Sequence, residues 1–130
     1  MKKTLNIILV LLPFILLPAC TGPKMGLDKS IDANQLANNY LLNIKKGDKL
    51  YKGKSITVFG EVWQSYTNKY NEKIIILMQK DNQAGVKCFL SPSAHQMDRP
   101  LKQGEIIKIN GICQGVDDHI ILKGCVILMN

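Results

Sequence analysis

Several signatures of catalytic and nucleotide-binding proteins are missing from this chain of 130 residues. It has no Gly-x-Gly-x-x-Gly loop, no Gly-x-x-x-x-Gly-Lys-Ser/Thr phosphate-binding loop and no His-Glu-x-x-His helix. These absences exclude dinucleotide-binding proteins, P-loop proteins and zinc proteases that depend on those motifs. With two histidines, the chain offers few candidates for a histidine-based metal or proton-transfer site. Aromatic residues make up 6% of the chain and the mean hydropathy is +0.02, which fits neither a disordered chain nor a multispanning membrane protein. The length fits one domain.

The start of the chain has the pattern of an export signal. Lys2 and Lys3 give a short basic start, and residues 7–19 are an unbroken apolar stretch with two prolines. A membrane-spanning helix needs about 20 apolar residues, so this shorter stretch predicts a secretory signal peptide over residues 1–19.

The end of that stretch, Leu17-Pro18-Ala19-Cys20, resembles a bacterial lipobox. The resemblance implies that the Cys20 thiol receives a diacylglycerol, that the chain is cut before it, and that the freed amine is acylated. Two or more acyl chains, at ~0.8 kcal/mol per buried CH₂, hold a protein stably in membrane lipid. Thr21 resembles the sorting class of the outer membrane, so we expect a lipid-anchored protein of the bacterial cell envelope that faces the periplasm. The alternative is an ordinary signal peptide in which Cys20 is incidental.

After Cys20 the chain is expected to have two parts. Residues 20–31 contain Gly, Pro and charged residues without periodicity, which predicts a lipidated cysteine and a flexible tether. Residues 32–130 are the predicted folded domain. Removal of residues 1–19 takes away two lysines and lowers the formal charge from +7 to +5.

The hydrophobic periodicity of the domain changes from helical to alternating. Asp32 as N-cap and the stripe Leu36, Tyr40 and Ile44 predict one helix of about three turns, ended by Gly47. Alternating apolar residues then predict five strands, with a polar loop at 64–72 after the first and a short helix in 91–101 after the third. The strands are expected near 56–63, 74–78, 86–90, 104–111 and 119–128, the last with a kink at Gly124.

Five strands with a short helix between the third and the fourth is the order of an OB-fold, a small all-β Greek-key barrel. The alternative is an open five-stranded sheet with helices on one side. Closure removes the exposed strand edges that a chain this short would otherwise have to protect, so the barrel is the preferred prediction, and we expect a monomer.

Several short motifs resemble one family. They are Leu36…Tyr40…Asn43, Tyr51-Lys52-Gly53-Lys54, Val58-x-Gly60-x-Val62, Val86-Lys87-Cys88-Phe89, Lys102-x-Gly104, Gly111-x-Cys113-x-Gly115 and Leu122-x-x-Cys125-x-Ile127. In this order, over about residues 33–128, they resemble the tRNA-anticodon-like OB-fold lipoproteins of bacteria. The resemblance implies an OB-fold and an exported lipoprotein. It supplies no catalytic residue.

The three cysteines of the domain are Cys88, Cys113 and Cys125. Their spacing matches no zinc pattern, and an exported protein meets a compartment in which disulfides persist. We therefore expect buried thiols with one disulfide among them and one cysteine unpaired. Neighbouring strands favour Cys88–Cys125, and Cys113–Cys125 is the alternative.

Two surfaces are candidate binding sites. One carries the aromatic residues Trp63, Tyr66 and Tyr70, on or beside the predicted loop between the first two strands, where OB-folds bind extended ligands. Phe89, opposite the Cys88 face, joins this surface if no helix covers it. The other surface is a run of five lysines: Lys45, Lys46, Lys49, Lys52 and Lys54. This run is either a solvated stretch without a binding role, a surface attracted to anionic lipid, or a phosphate-binding patch.

These features predict a noncatalytic binding or structural module without a cofactor or metal. The expected partner is an envelope protein, a peptide or a glycan. The alternative is binding of single-stranded nucleic acid through the lysine run, which the envelope location disfavours. The acid and histidine cluster Asp117-Asp118-His119 is expected to be a solvated hairpin turn, and an enzyme that uses it is the weakest hypothesis.

Overall fold

The computed structural model describes residues 29–94 and 99–128. The predicted signal peptide and most of the predicted tether lie outside these residues, as does the middle of the short helix expected in 91–101. On either side of that gap, residues 91–94 and 99–101 are turns and irregular chain. In the described part of the chain no helix is both long and apolar enough to span a membrane.

The described residues form one short strand at the start, then two helices and then five long strands. The helices are α1 (Ala33–Leu42) and α2 (Ile44–Tyr51). The strands are β1 (Ile31–Asp32), β2 (Ser55–Thr67), β3 (Lys73–Leu77), β4 (Val86–Leu90), β5 (Ile106–Val116) and β6 (Ile120–Leu128).

The five long strands close into a barrel. The sheet order is β1-β2-β3-β4-β6-β5, and a further antiparallel pairing of β2 with β5 joins the two ends. Among the long strands, β4 and β6 pair in parallel and all other pairs are antiparallel. This is the OB-fold that the order of the elements predicted. The open-sheet alternative is wrong because β5, the last strand in the sheet order, also pairs with β2.

The core fills the barrel and continues into α1. Alternate residues of each strand point inward, and α1 covers one end of the barrel with Leu36, Ala37 and Tyr40, all without exposed surface. A Cβ built on Gly60 of β2 would lie 2.9 Å from the Ala33 Cβ. A glycine at this position therefore allows α1 to approach the sheet closely.

The single predicted helix is two helices. Asn43 has an extended backbone (φ −157°, ψ 95°), and its side-chain oxygen accepts a hydrogen bond from Lys46 N at 3.1 Å as the N-cap of α2. Ile44 therefore leaves the buried stripe and is half exposed. Gly47 lies inside α2 rather than at its end.

Two strands are longer than predicted. β2 continues through the expected polar loop to Thr67, because Gln64, Ser65 and Tyr66 pair with β3. β5 continues past Gly111 to Val116 and pairs with β6. The expected kink in β6 is present, because Gly124 has a φ of +62° and the register shifts beside it.

Candidate binding face on the barrel

The outside of the sheet formed by β2, β3, β4 and β6 carries two rows of side chains. In the first row, Ile74 of β3 pairs with Tyr66 of β2 on one side and with Phe89 of β4 on the other. In the second row, Ile76 pairs with Gln64 and Lys87. Side chains opposite one another in a sheet share one face. We call these six residues, together with Lys123 of β6, the outer face.

The middle of the outer face is closed to solvent although it lies outside the barrel. Ile74 and Ile76 alternate with the core residues Ile75 and Leu77, yet they expose only 2% and 6% of their surface. Their cross-strand neighbours therefore cover them. The groups that a ligand can reach are the partly exposed side chains of the two flanking strands.

Phe89 is the aromatic centre of this face. Lys87 Nζ lies 5.7 Å from the centroid of its ring, and Lys123 Nζ lies 5.3 Å from it. Both distances are within the range of cation–π contacts. The arrangement places a partly exposed ring between two ammonium groups, which suits a ligand that has an apolar or planar group next to a negative charge.

The three aromatic residues predicted for the ligand surface lie in three different places, and only Tyr66 belongs to the outer face. Trp63 lies at the irregularity of β2 between Val62 and Gln64, where it helps to line an open cavity of about 340 Å³. Gln103 Nε2 donates a hydrogen bond to the Trp63 carbonyl at 3.3 Å.

Tyr70 lies in the loop between β2 and β3, with 72% of its surface exposed. Asn68 holds this loop, because its side-chain oxygen accepts hydrogen bonds from the backbone N–H groups of Tyr70 and Glu72, both at 2.9 Å. Lys69 Nζ lies 5.2 Å from the centroid of the Tyr70 ring. A contact of Trp63 or Tyr70 with a ligand stays a prediction.

The lysine run lies on a different part of the surface, and all five of its side chains are exposed. Lys45, Lys46 and Lys49 are on α2, while Lys52 and Lys54 follow it. Lys52 lies over β5, where its Cε is 3.5 Å from the position of a Cβ on Gly115.

The Asp117-Asp118-His119 cluster is the turn between β5 and β6, as expected. Its polar groups are used for structure: His119 Nδ1 accepts a hydrogen bond from Gly85 N at 3.0 Å, and Asp118 Oδ1 accepts one from His119 N at 2.9 Å. Within residues 29–94 and 99–128, no three Cys, His, Asp or Glu side chains are grouped as a metal site would require.

The three cysteines are buried and carry free thiols, so the expected disulfide is not formed in this structure. Cys88 and Cys125, the pair that the strand order favoured, share a side-chain hydrogen bond. This bond and then burial raise the pKa of the Cys88 thiol well above its usual value. Cys113 lies apart from them, with its Sγ 3.8 Å from the Tyr40 hydroxyl oxygen.

Comparison with known proteins places this geometry in a family. No curated protein matches the chain. Among solved structures, the domain is similar to a protein of Klebsiella pneumoniae subsp. pneumoniae named "putative nucleic acid-binding lipoprotein", with 15% identity, a TM-score of 0.55, and coverage of 77% of this chain and 92% of the other. That likeness concerns the fold. The tRNA_anti-like family model matches residues 19–126, which is most of the sequence, and the chain therefore belongs to the tRNA_anti-like family.

Proposed function

We propose that this protein is a noncatalytic binding module of the bacterial envelope, anchored in membrane lipid through Cys20, whose ligand binds on the outer face. The lipobox-like sequence that ends at Cys20 supports the anchor. The likeness in fold to a protein named as a lipoprotein is consistent with it.

The observation that carries the proposal is the Phe89 ring between Lys87 and Lys123. An OB-fold binds extended ligands on the strands that correspond to β3 and β4 here, and Phe89 lies on β4. Two ammonium groups beside a ring favour a ligand with carboxylate groups close to apolar ones. We infer an acidic stretch of an envelope protein, peptide or glycan as the ligand class.

The polar groups that could perform chemistry support a binding role instead. The Cys88 thiol is buried, and its raised pKa keeps it protonated and poorly nucleophilic at neutral pH. The imidazole of His119 already accepts the hydrogen bond from Gly85 N.

In-cell photo-crosslinking from the outer face tests this proposal. A photoreactive residue at Gln64, which is exposed beside Ile76, should capture the envelope partner. Phe89→Ala should then lower the crosslink yield by about fivefold or more, the loss expected for a contact residue worth ~1 kcal/mol.

Phe59→Ala is the matched control, because Phe59 is also a partly exposed phenylalanine on a strand but pairs with Lys108 of β5, off the outer face. Its yield should stay close to that of the unmodified protein. Equal yields from Phe89→Ala and the unmodified protein would contradict the proposed site.

Binding of single-stranded nucleic acid is the second candidate, and the same Phe89 arrangement favours it. Bases stack on aromatic rings and phosphates pair with ammonium groups in proteins of this type. The structurally similar Klebsiella protein carries a nucleic acid-binding name. The five lysines that the sequence analysis offered for nucleic-acid binding lie off the outer face. In this candidate the phosphate contacts therefore come from Lys87 and Lys123.

An oligonucleotide titration of the detergent-solubilised protein at several salt concentrations separates the two candidates. Two phosphate contacts predict a slope of log affinity against log salt of about −1.4, and Lys87→Gln should make the slope shallower. No binding at low salt, or a flat salt dependence, would remove this candidate.

A further inference from the structure

The break between α1 and α2 creates an exposed corner with an unusual mixture of side chains. Leu42 is the most exposed large apolar residue of the described chain, at 84%, and Leu41, Ile44 and Leu50 are each about half exposed. These four, together with Lys45, Lys46 and Lys49, form what we call the helical corner. Such exposure is not explained by the fold, because α2 packs on β5 through its other side.

The inner side of α2 is occupied by Gly47, Asp48 and Tyr51. Gly47 lies against the Tyr40 ring, Asp48 Oδ1 accepts a hydrogen bond from the Tyr40 hydroxyl at 2.8 Å, and the rings of Tyr51 and Tyr40 have their centroids 6.1 Å apart. The one acidic side chain of α2 is thus turned into the domain. The outward side is left with positive charge alone.

On that outward side, apolar and basic residues are neighbours. Residues three or four apart share one face of a helix, which places Lys46 beside both Lys49 and Leu50, and Lys45 beside Lys49. Ile44 begins α2 and Leu42 ends α1, so both flank the cap at Asn43, and both are exposed. Exposed leucine and isoleucine among lysines are the composition of helices that lie on a membrane, where apolar side chains enter the headgroup boundary and ammonium groups contact anionic lipid.

We propose that the helical corner docks on the anionic lipid surface of a membrane, and so holds the domain against the bilayer. This proposal shares the Cys20 anchor with the proposed function but does not depend on the outer face. The length of the chain before the domain agrees with it: Cys20 to Lys29 spans at most ~32 Å when extended. α1 is about 15 Å long, so its end at Leu42 can reach the surface in which Cys20 would be anchored.

Amine acylation followed by mass spectrometry tests this docking on the whole lipoprotein. The protein is reconstituted in vesicles of equal parts phosphatidylglycerol and phosphatidylcholine, and in vesicles of phosphatidylcholine alone. In the anionic vesicles Lys45, Lys46 and Lys49 should be acylated about fivefold more slowly, as ~1 kcal/mol of headgroup contact per lysine implies. Lys87 and Lys123 are internal controls and should react at the same rate in both.

A pair of variants ties the protection to the apolar residues. Leu42→Gln should reduce the protection of the three lysines in anionic vesicles, and its high exposure means that the fold does not depend on it. Ile106→Gln is the matched control, since Ile106 is 69% exposed but lies on β5 away from the helical corner. It should leave the protection unchanged.

Three results would overturn the docking proposal: equal acylation rates in the two vesicle types, protection of all lysines alike, or protection that also occurs in detergent together with dimer formation. The last would assign the corner to a second copy of the chain. If the intact mass shows no lipid on Cys20 but added anionic vesicles still protect the three lysines, docking stands and the proposed anchor fails.

Discussion

Tyr40 connects three elements of the domain through one side chain. Its ring lies on Gly47 of α2, its hydroxyl donates a hydrogen bond to Asp48, and the same oxygen lies 3.8 Å from Cys113 Sγ on β5. Burial and then the bond to Asp48 raise the pKa of the phenol well above its usual value. The hydroxyl therefore stays protonated and keeps donating its hydrogen bond at neutral and mildly alkaline pH.

Gly47→Ala tests the contact between α1 and α2. In an exposed helix this change stabilises by roughly 0.5–1 kcal/mol, but here the new Cβ would lie 2.6 Å from the Tyr40 ring. We expect a loss of about 1–3 kcal/mol in the free energy of unfolding, as for other overpacked sites. Urea denaturation measures it, and Lys46→Ala, at the exposed neighbouring position, should stay within ~0.5 kcal/mol. A stabilised Gly47→Ala would contradict the packing.

The cysteine pair gives a second prediction at this scale. Cys88 and Cys125 are in contact, whereas Cys113 lies against Tyr40. The thiol–disulfide oxidants of the envelope should therefore join Cys88 to Cys125 and leave Cys113 free. Alkylation in denaturant without reductant should modify one thiol, and alkylation after reduction should modify three. Three modified thiols without reductant would show that the pair stays reduced.

At the scale of elements, local pattern predicted where helices and strands occur but not where they end. Leu36 and Tyr40 of the apolar stripe are buried as expected. The helix nevertheless breaks at Asn43, because the Asn43 side chain caps a new helix, α2. β2 extends to Thr67 because β3 pairs with its polar end. Such pairing depends on residues that are distant in the sequence, so local periodicity cannot predict it.

One carboxylate holds residues 99–105, which lead into β5. Glu105 accepts hydrogen bonds from the Arg99 guanidinium at 2.8 Å and from Lys102 N at 2.9 Å. The Arg99 bond and then the backbone bond lower the pKa of Glu105 to about 2, from the ordinary value of 4.5. The contribution of Glu105 to stability is thus complete above about pH 4.5 and is lost as the pH falls towards 2.

Glu105→Gln should therefore be less stable than the unmodified protein at pH 7, and the difference should shrink as the pH falls from 4.5 to 2. Chemical denaturation at a series of pH values measures it. Arg99→Ala should give the same pH dependence, since it removes the first cause of the shift. A difference that persists unchanged at pH 2 would contradict the role of the Glu105 carboxylate.

At the scale of the whole molecule, the strand order predicted the closed barrel, whereas the outer face was only partly predictable. The sequence points to Tyr66 by its position beside a predicted loop and to Phe89 by its position opposite the Cys88 face. The register across β4 and β6 is what brings Lys123 over Phe89, and no sequence motif shows it. The run Ile74-Ile75-Ile76-Leu77 also gives no alternation to separate the inner from the outer face.

The proposed envelope ligand follows from the Cys20 anchor, and the anchor would also keep the helical corner near lipid. The intact mass of the protein, isolated from the membrane fraction of its own cells, tests the anchor directly. We predict a chain that starts at Cys20 and carries the mass of a diacylglyceryl group and an N-acyl chain. A chain that starts at Met1 without lipid would contradict the account, and nucleic-acid binding by a basic OB-fold would then become the leading function.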